Sequence, residues 1–481
     1  MFVILPFLRR KSAALALMLF LVSACTSPHN NFTPISTPHK FTPTPMPLTL
    51  TQISSDPYTN STSQHKTEVE PGTFSFGNTI VAAFKAGRFY KGGASNIGWA
   101  TSINGGLTWT YGFLPGTTLY AGGTYDQVSD PSVAYDAMHN VWMISYLAHK
   151  NSSSTGSLTD VVASRSTNGG ISWNAPVLVK QGGPGSAFDK DSMVCDDTAT
   201  SPFYGHCYTA FDEGCCVDLV LMSTSTDGGE TWGMPKTTAD RASGLGGQPL
   251  VQPNGTVIVP IIVFTSSSTI ENIAAFQSND GGESWSSNVL ITRSDYHHPK
   301  GGMRVPFPFP SAAIDRSGNV YVVWPDCRFE TGCSANDLVL SASSNGKTWL
   351  AVQRIPIDPV DSGVDHFLPG LAVDPSTSGS AGHLVLVFYY YPKANCNSST
   401  CLLEVGSTSS TDGGNTWSLT NHLAGPMKLS WLASTSQGAM VGDYISTSFS
   451  NGKAYPIFAA ATAPAGKVFD EAMFTVSGGI T

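Results

Sequence analysis

Carboxylates stand at the heads of apolar, strand-like runs in this sequence. Glu70-Pro71, Asp130-Pro131, Asp191-Ser192 and Gly442-Asp443-Tyr444 each lead into such a run. Gln248-Pro249, Phe309-Pro310 and Leu368-Pro369 hold the same place elsewhere, so seven heads recur along the chain. A proline opening a strand gives up no ladder hydrogen bond. Acids gathered at one place can do general acid–base work, because like charges crowded together push some pKa values upward. The same acids could instead accept hydrogen bonds from N–H groups at the strand starts. Further polar residues follow the second apolar run of several units: Arg88, Tyr90, Asp212, Glu213, Asp326, Arg328 and Glu330. A long connection over residues 291–310 adds Tyr296, His297, His298 and Arg304. No spacing among these acids matches a calcium loop. Neither a metal nor another cofactor is expected.

These residues must be positioned by a repeat. Ser225-Thr-Asp227-Gly228-Gly229-Glu-Thr231-Trp232 follows the apolar run 218–223. Its pattern is a tight turn. The aspartate is expected to accept backbone N–H groups two or three residues on, the glycines to take positive φ, and the tryptophan to open the next strand. Copies begin at Ser102, Ser166, Ser278 and Ser410, and a version short of one glycine begins at Ser343. The starts lie 64, 59, 53, 65 and 67 residues apart. Self-similarity at a near-fixed period marks a repeat architecture. Between turns the same order returns: a headed strand, a very apolar second strand, a variable loop, then the strand entering the turn. The second strands are expected at 79–84, 141–147, 257–264, 320–324 and 384–391.

The Ser-x-Asp-Gly-Gly-x-Thr-Trp motif resembles the Asp-box, or neuraminidase repeat, of the sialidase superfamily. The resemblance covers nearly everything after residue 66. It implies an all-β propeller of four-stranded antiparallel blades, each box lying between the third and outermost strands, on the face away from the active site. Seven heads against six boxes favour seven blades; the sialidase analogy itself favours six, with the last unit as an extension. That unit, 441–449, 454–461 and 471–476, offers three strands and no box. The alternating stretch 48–53 is expected to supply its fourth strand and close the ring, hiding a sheet edge.

In a propeller of this family the strand heads and the loops between second and third strands share one rim. The resemblance therefore nominates Glu70, Asp130, Asp191, Asp443 and Tyr444 as catalytic candidates, and Arg88, Arg304, Arg328 and Asp326 as substrate-binding candidates. A sialidase binds its substrate carboxylate with three arginines and uses a tyrosine–glutamate pair and an aspartate. This chain departs from that pattern. Glu70 stands where the first arginine is expected, and no aspartate occurs between Glu70 and Asp126. Gly442-Asp443-Tyr444 resembles a signature found late in Asp-box proteins without the sialidase set. An acidic rim should repel a sialoside. Two functions follow: an exo-acting glycoside hydrolase on glycans, or a noncatalytic propeller that binds a glycan or a protein.

Residues 1–24 resemble a lipoprotein export signal. Arg9-Arg10-Lys11 is positive, residues 13–22 are apolar but too few to span a bilayer, and Val22-Ser-Ala-Cys25 resembles a lipobox. Cys25 is then the lipid-modified residue, and the lipid the sole membrane contact of a cell-surface protein. Residues 25–47, rich in proline and threonine, read as a tether, and 48–481 as the propeller. The chain carries a formal charge of −9, and removal of the signal leaves 22 basic against 34 acidic residues. Such a surface argues against nucleic acid as a partner. In an exported chain the remaining cysteines favour disulfides. Cys327 and Cys333, and Cys396 and Cys401, are expected to staple loops. Cys195 and Cys207 flank the first hairpin of the third blade. Cys215 and Cys216 pair with each other or elsewhere.

Overall fold

The computed structural model describes residues 48–151, 157–214, 218–264 and 271–481. The signal, the tether, Cys25, Cys215 and Cys216 lie outside the described residues. Among the described residues there is no α-helix; strands follow one another, with short 3-10 turns. They form successive antiparallel sheets, mostly of four strands in sequence order. The first sheet orders Glu68–Phe76, Thr79–Arg88, Ala94–Ser102 and Thr110–Phe113. The second begins at Gln127–Asp136 and joins the first through a single Ala94–Val128 pair.

Apolar residues alternate onto both faces of each sheet, so the core lies between neighbouring sheets rather than in one centre. Val81, Ala83 and Trp99 of the first sheet meet Val133 and Ile144 of the second. One layer draws on the sixth sheet (Phe367, Val387), the last (Ile457, Phe458) and the first (Phe84) together.

The second strands run further than their apolar residues suggest. Thr79–Arg88, Val141–Lys150 and Val320–Asp326 extend past the expected ends, while Val257–Phe264 and Leu384–Tyr391 end as expected. Arg88 and Asp326 consequently close strands instead of riding on loops.

The last sheet contains Ser446–Ser450, Lys453–Ala461 and Glu471–Val476. Leu50–Gln52 pairs antiparallel with the last of these, Leu50 opposite Val476. Ile53, with no exposed surface, follows it into the core. The first and last sheets touch at their inner strands too: the Glu70 N–H donates to the Val441 carbonyl at 3.1 Å, and the Thr73 N–H to Ser446 Oγ at 3.1 Å.

The repeated turns share one plan. Ser225 Oγ donates to Asp227 Oδ1 (2.9 Å) and accepts from the Gly229 N–H (3.0 Å). Asp227 Oδ1 accepts the Thr231 N–H and Oδ2 the Thr231 hydroxyl, four residues on rather than two or three. Gly228 and Gly229 sit at φ +71° and +79°, which disfavours other residues there. In the shortened turn Asn345 Oδ1 accepts the N–H groups of Lys347 and Thr348, both at 2.9 Å.

The turns also lock sheet to sheet. Thr101 Oγ1 of the first sheet donates to the Gly170 carbonyl in the turn of the second (2.7 Å). Arg165 Nε of the second donates to the Gly228 carbonyl in the third (2.7 Å). Tyr455 of the last sheet donates its hydroxyl to the Gly105 carbonyl in the first (2.6 Å). Among the described residues three disulfides form, Cys195–Cys207, Cys327–Cys333 and Cys396–Cys401, pairing the cysteines as their positions suggest.

Candidate functional site

The strand heads are bulges. The first strand of the first, second, third and sixth sheets shifts register at its head. In each, one non-glycine residue takes a left-handed conformation: Glu70 (φ 57°), Asp130 (φ 48°), Lys190 (φ 50°) and Leu368 (φ 50°). Such a residue costs on the order of 1–3 kcal/mol, and the bulge re-aims its side chain. The head of the third sheet is therefore Lys190, one residue before the expected Asp191. Asp191 holds the place that Pro71, Pro131 and Pro369 hold in the other three.

Around these heads lies a buried charge cluster. Lys190 Nζ is 2.9 Å from Asp130 Oδ1 and 2.5 Å from Asp443 Oδ2. Arg304 Nη1 pairs with Asp443 Oδ1 and lies 3.9 Å from Glu70 Oε1. Lys85 Nζ pairs with Glu70 Oε2 and donates to Ser129 Oγ, which in turn donates to Asp130 Oδ2 at 2.5 Å. Arg88 is buried beside them; its guanidinium donates to the Phe89 and Gly93 carbonyls. Arg88 Nε also meets Met440 Sδ at 3.2 Å, and Arg304 Nη1 approaches the same sulfur at 4.0 Å.

Asp189 Oδ1 also lies 3.9 Å from Lys190 Nζ, so four cations meet four carboxylates, and these heads form a balanced cluster rather than the acidic rim expected. Lys85 and Lys190 are the members of this charge cluster that sequence reasoning passed over. Two signals pointed to them: a lysine inside a very apolar strand, and the equal spacing of 60 residues from Glu70 to Asp130 to Lys190.

The electrostatics sort the carboxyls into two kinds. Burial opposes charge on Asp130, but Lys190 and Lys85 outweigh it and hold the carboxyl well below its usual range. Burial likewise opposes charge on Asp443, and Lys190 and Arg304 lower its pKa. Asp191 behaves in the opposite way. Burial pushes its carboxyl well up, against the bond from Ser145 Oγ at 2.6 Å, and its Oδ1 has no partner. Asp212 is raised by burial, then by Asp189 and Asp218, and neither of its oxygens has a partner. Some of the rim carboxyls are thus raised, as expected, and others are lowered by neighbouring cations.

Tyr444 is raised by burial and by the surrounding acids, and its hydroxyl donates to the Pro131 carbonyl (3.3 Å) instead of to a glutamate. Asp326 and Arg328 pair with each other at 2.7 Å, Arg328 also donating to the Arg293 carbonyl; Arg328 lines a separate recess with Tyr296 and Glu330, and Asp326 is buried behind it. The three arginines therefore do not converge: Arg88 and Arg304 do, and Arg328 stands with Asp326.

A cavity of about 510 Å³ runs beside the cluster. Lys190, Asp191, Asp443 and Tyr444 line it together with apolar residues such as Phe74 and Phe309. All the head-bearing strands contribute to its wall.

No family model matches the chain, and no curated protein matches it. Among solved structures, it is similar to an ulvan lyase of polysaccharide lyase family PL25 bound to -[GlcA(1-4)Rha3S]-. The two are 12% identical with a TM-score of 0.50, over 86% of this chain and 95% of that one. It is also similar to a protein of unknown function from Dyadobacter fermentans (13% identity, TM-score 0.45, 75% of this chain and 98% of that one). The NanB sialidase of Streptococcus pneumoniae follows (12%, 0.43, 90% of this chain and 70% of that one). The likeness to the lyase is one of fold: the chain is a succession of mostly four-stranded antiparallel sheets, an arrangement consistent with a β-propeller.

Proposed function

We propose that the protein is an exported, glycan-active propeller of seven blades that hydrolyses glycosidic bonds at the strand-head cluster. The carrying observation is the divergence of carboxyls along one cavity. Against the burial of Asp443, Lys190 and Arg304 lower its carboxyl, while burial pushes the Asp191 carboxyl well up, and both residues line the cavity. Paired carboxyls with pKa values pushed apart supply the acid and the base or nucleophile that glycoside hydrolysis needs. The likeness in fold to a polysaccharide-degrading enzyme supports a glycan as substrate. Seven heads, the pairing of Leu50–Gln52 with the last sheet, and the Tyr455–Gly105 bond support a closed seven-blade ring.

Turnover of a panel of aryl glycosides and polysaccharides by the purified protein tests this reading. Asp443→Asn and Asp191→Asn should each lower kcat by on the order of a hundredfold or more. Activity should fall as pH rises through the raised pKa of Asp191, where the acid is lost. The acid limb should lie below the ordinary carboxylate range, because Asp443 is lowered. Aryl sialosides should resist cleavage, because the guanidiniums of Arg88 and Arg304 are already engaged by carbonyls and carboxylates.

A second reading, glycan binding without turnover, is favoured by one observation: Lys190 and Arg304 occupy both oxygens of Asp443. Retained binding on a glycan array with no turnover of any substrate would select it. The lipobox-like stretch supports a lipid on Cys25 and a place at the cell surface. Mass spectrometry of the mature protein should find the diacylglyceryl group, and its absence would remove the anchor from the proposal.

A further inference from the structure

Away from the strand-head cluster, three donors meet between the fifth and sixth sheets. Asp337 opens the third strand of the fifth sheet, Asp337–Ser343, and Asp358 follows the short outer strand Gln353–Arg354. His366 lies on the first strand of the sixth, Asp365–Val373. One ligand atom from each lies within 4.8 Å of the others.

His366 is 1% exposed and stacks on the Tyr390 ring. Its Nδ1 lies 3.2 Å from the Asn336 carbonyl. A carbonyl only accepts, so Nδ1 carries the proton and Nε2 presents a lone pair. That nitrogen faces Asp358 Oδ2 at 4.0 Å, beyond hydrogen-bond reach. A histidine that donates one ring N–H to the backbone while its other nitrogen faces carboxylates is oriented as metal-ligating histidines are.

Asp337 supplies the second observation. It is 2% exposed, and its Oδ2 has no hydrogen-bond partner. An orphaned carboxylate oxygen costs on the order of 1–3 kcal/mol unless something fills the place. Arg354 Nη2 answers the other side of the pair, 2.6 Å from Oδ1 of both aspartates. One guanidinium against two carboxylates leaves a negative surplus, and Glu330 nearby adds a further unpartnered oxygen, Oε1.

We propose that Asp337, Asp358 and His366 form a divalent transition-metal site, of zinc type, that clamps the fifth sheet to the sixth. One imidazole nitrogen with two carboxylate oxygens suits Zn²⁺, whereas Ca²⁺ takes oxygen donors alone. Water would complete the coordination from the side of Asp358, the most exposed of the three. Because the donors come from two sheets, the ion would act as a cross-link and bind the folded state selectively.

Calorimetric titration of the EDTA-stripped full-length protein with ZnCl₂, and separately with MnCl₂ and CaCl₂, decides the matter. One zinc per chain is expected, with an upward shift in Tm on loading. His366→Ala and Asp337→Asn should each weaken zinc by more than about a hundredfold and abolish the Tm shift. Arg354→Gln should bind zinc at least as tightly as the natural protein, because it removes a competing cation. The absence of saturable zinc binding to the natural protein would overturn the proposal. So would a preference for Ca²⁺, or zinc binding that survives in Asp337→Asn, the variant closest in shape to the natural side chain.

Discussion

The two ends of each sheet use carboxylates in opposite ways. Phe76 pairs with Thr79 and Ser102 with Ile80, so the box at Ser102 lies at the end of the sheet away from Glu70 and Lys85. At the box end, a carboxylate is exposed and answered by neighbours within four residues. Hydrogen bonds from Thr416, first its hydroxyl and then its N–H, lower Asp412 to about 2. At the head end, a carboxylate is buried and answered by a cation from another sheet: Asp130 by Lys190, Asp443 by Lys190 and Arg304. Local hydrogen bonds cost little to keep and lock the turn. Long-range pairs carry the desolvation of every partner, and they hold only because the fold brings distant parts of the chain together. The box end behaves as scaffold, and the head end concentrates the charge that chemistry can use.

The comparison is most exposed to breakage at Lys190. Lys190→Met leaves Asp130 and Asp443 buried and under-compensated, and it should cost about 3–5 kcal/mol in chemical denaturation. A cost under about 1 kcal/mol would mean that the head pairs are as dispensable as surface bridges. At the box end the largest effect should come from backbone geometry rather than charge. Gly106 sits at φ +79°, and a Cβ there would lie 2.1 Å from the Tyr455 ring. Gly106→Ala should cost about 2 kcal/mol and lower the melting temperature, since it disturbs the contact between the last and first sheets. The smallest effect should be Asp227→Asn. Asn104, Asn168 and Asn345 already serve at this position with one accepting oxygen. That change should cost about 0.5 kcal/mol or less by the same denaturation assay. A larger loss would show that the box carboxylate matters as a charge.

The contrast also explains what could be read from residues alone. The bonds that shape each repeated turn from within join positions a few residues apart, so type and spacing sufficed, and the repeat carried the all-β architecture with it. The heads were legible as positions, because Glu70-Pro71 and Asp130-Pro131 repeat. Their chemistry was not, because it depends on Lys85, Lys190 and Arg304 arriving from elsewhere in the chain. Asp191 shows the limit sharply. It looks like the third head, but the bulge gives that role to Lys190 and turns Asp191 toward Ser145. Arg304 and Arg328 looked the best pair for a clamp, with Arg88 a third candidate, yet Arg304 pairs with Asp443 beside Arg88 while Arg328, in the turn after Asp326, pairs with Asp326.

The short strand Leu50–Gln52 bears on how the molecule would carry mechanical load. It meets the last sheet through three residue pairs, with two further backbone bonds, from Ile53 to Met473 (2.9 Å) and from Ser477 to Thr49 (2.8 Å). Tension applied to the chain ahead of Leu48 reaches those few bonds before it reaches any other sheet. If they gave way, Glu471–Val476 would become an open edge and Ile53 would leave the core, while the remaining sheets kept their own ladders. The seam would then act as a fuse, yielding first and exposing a strand edge able to re-form its pairing once the pull is released.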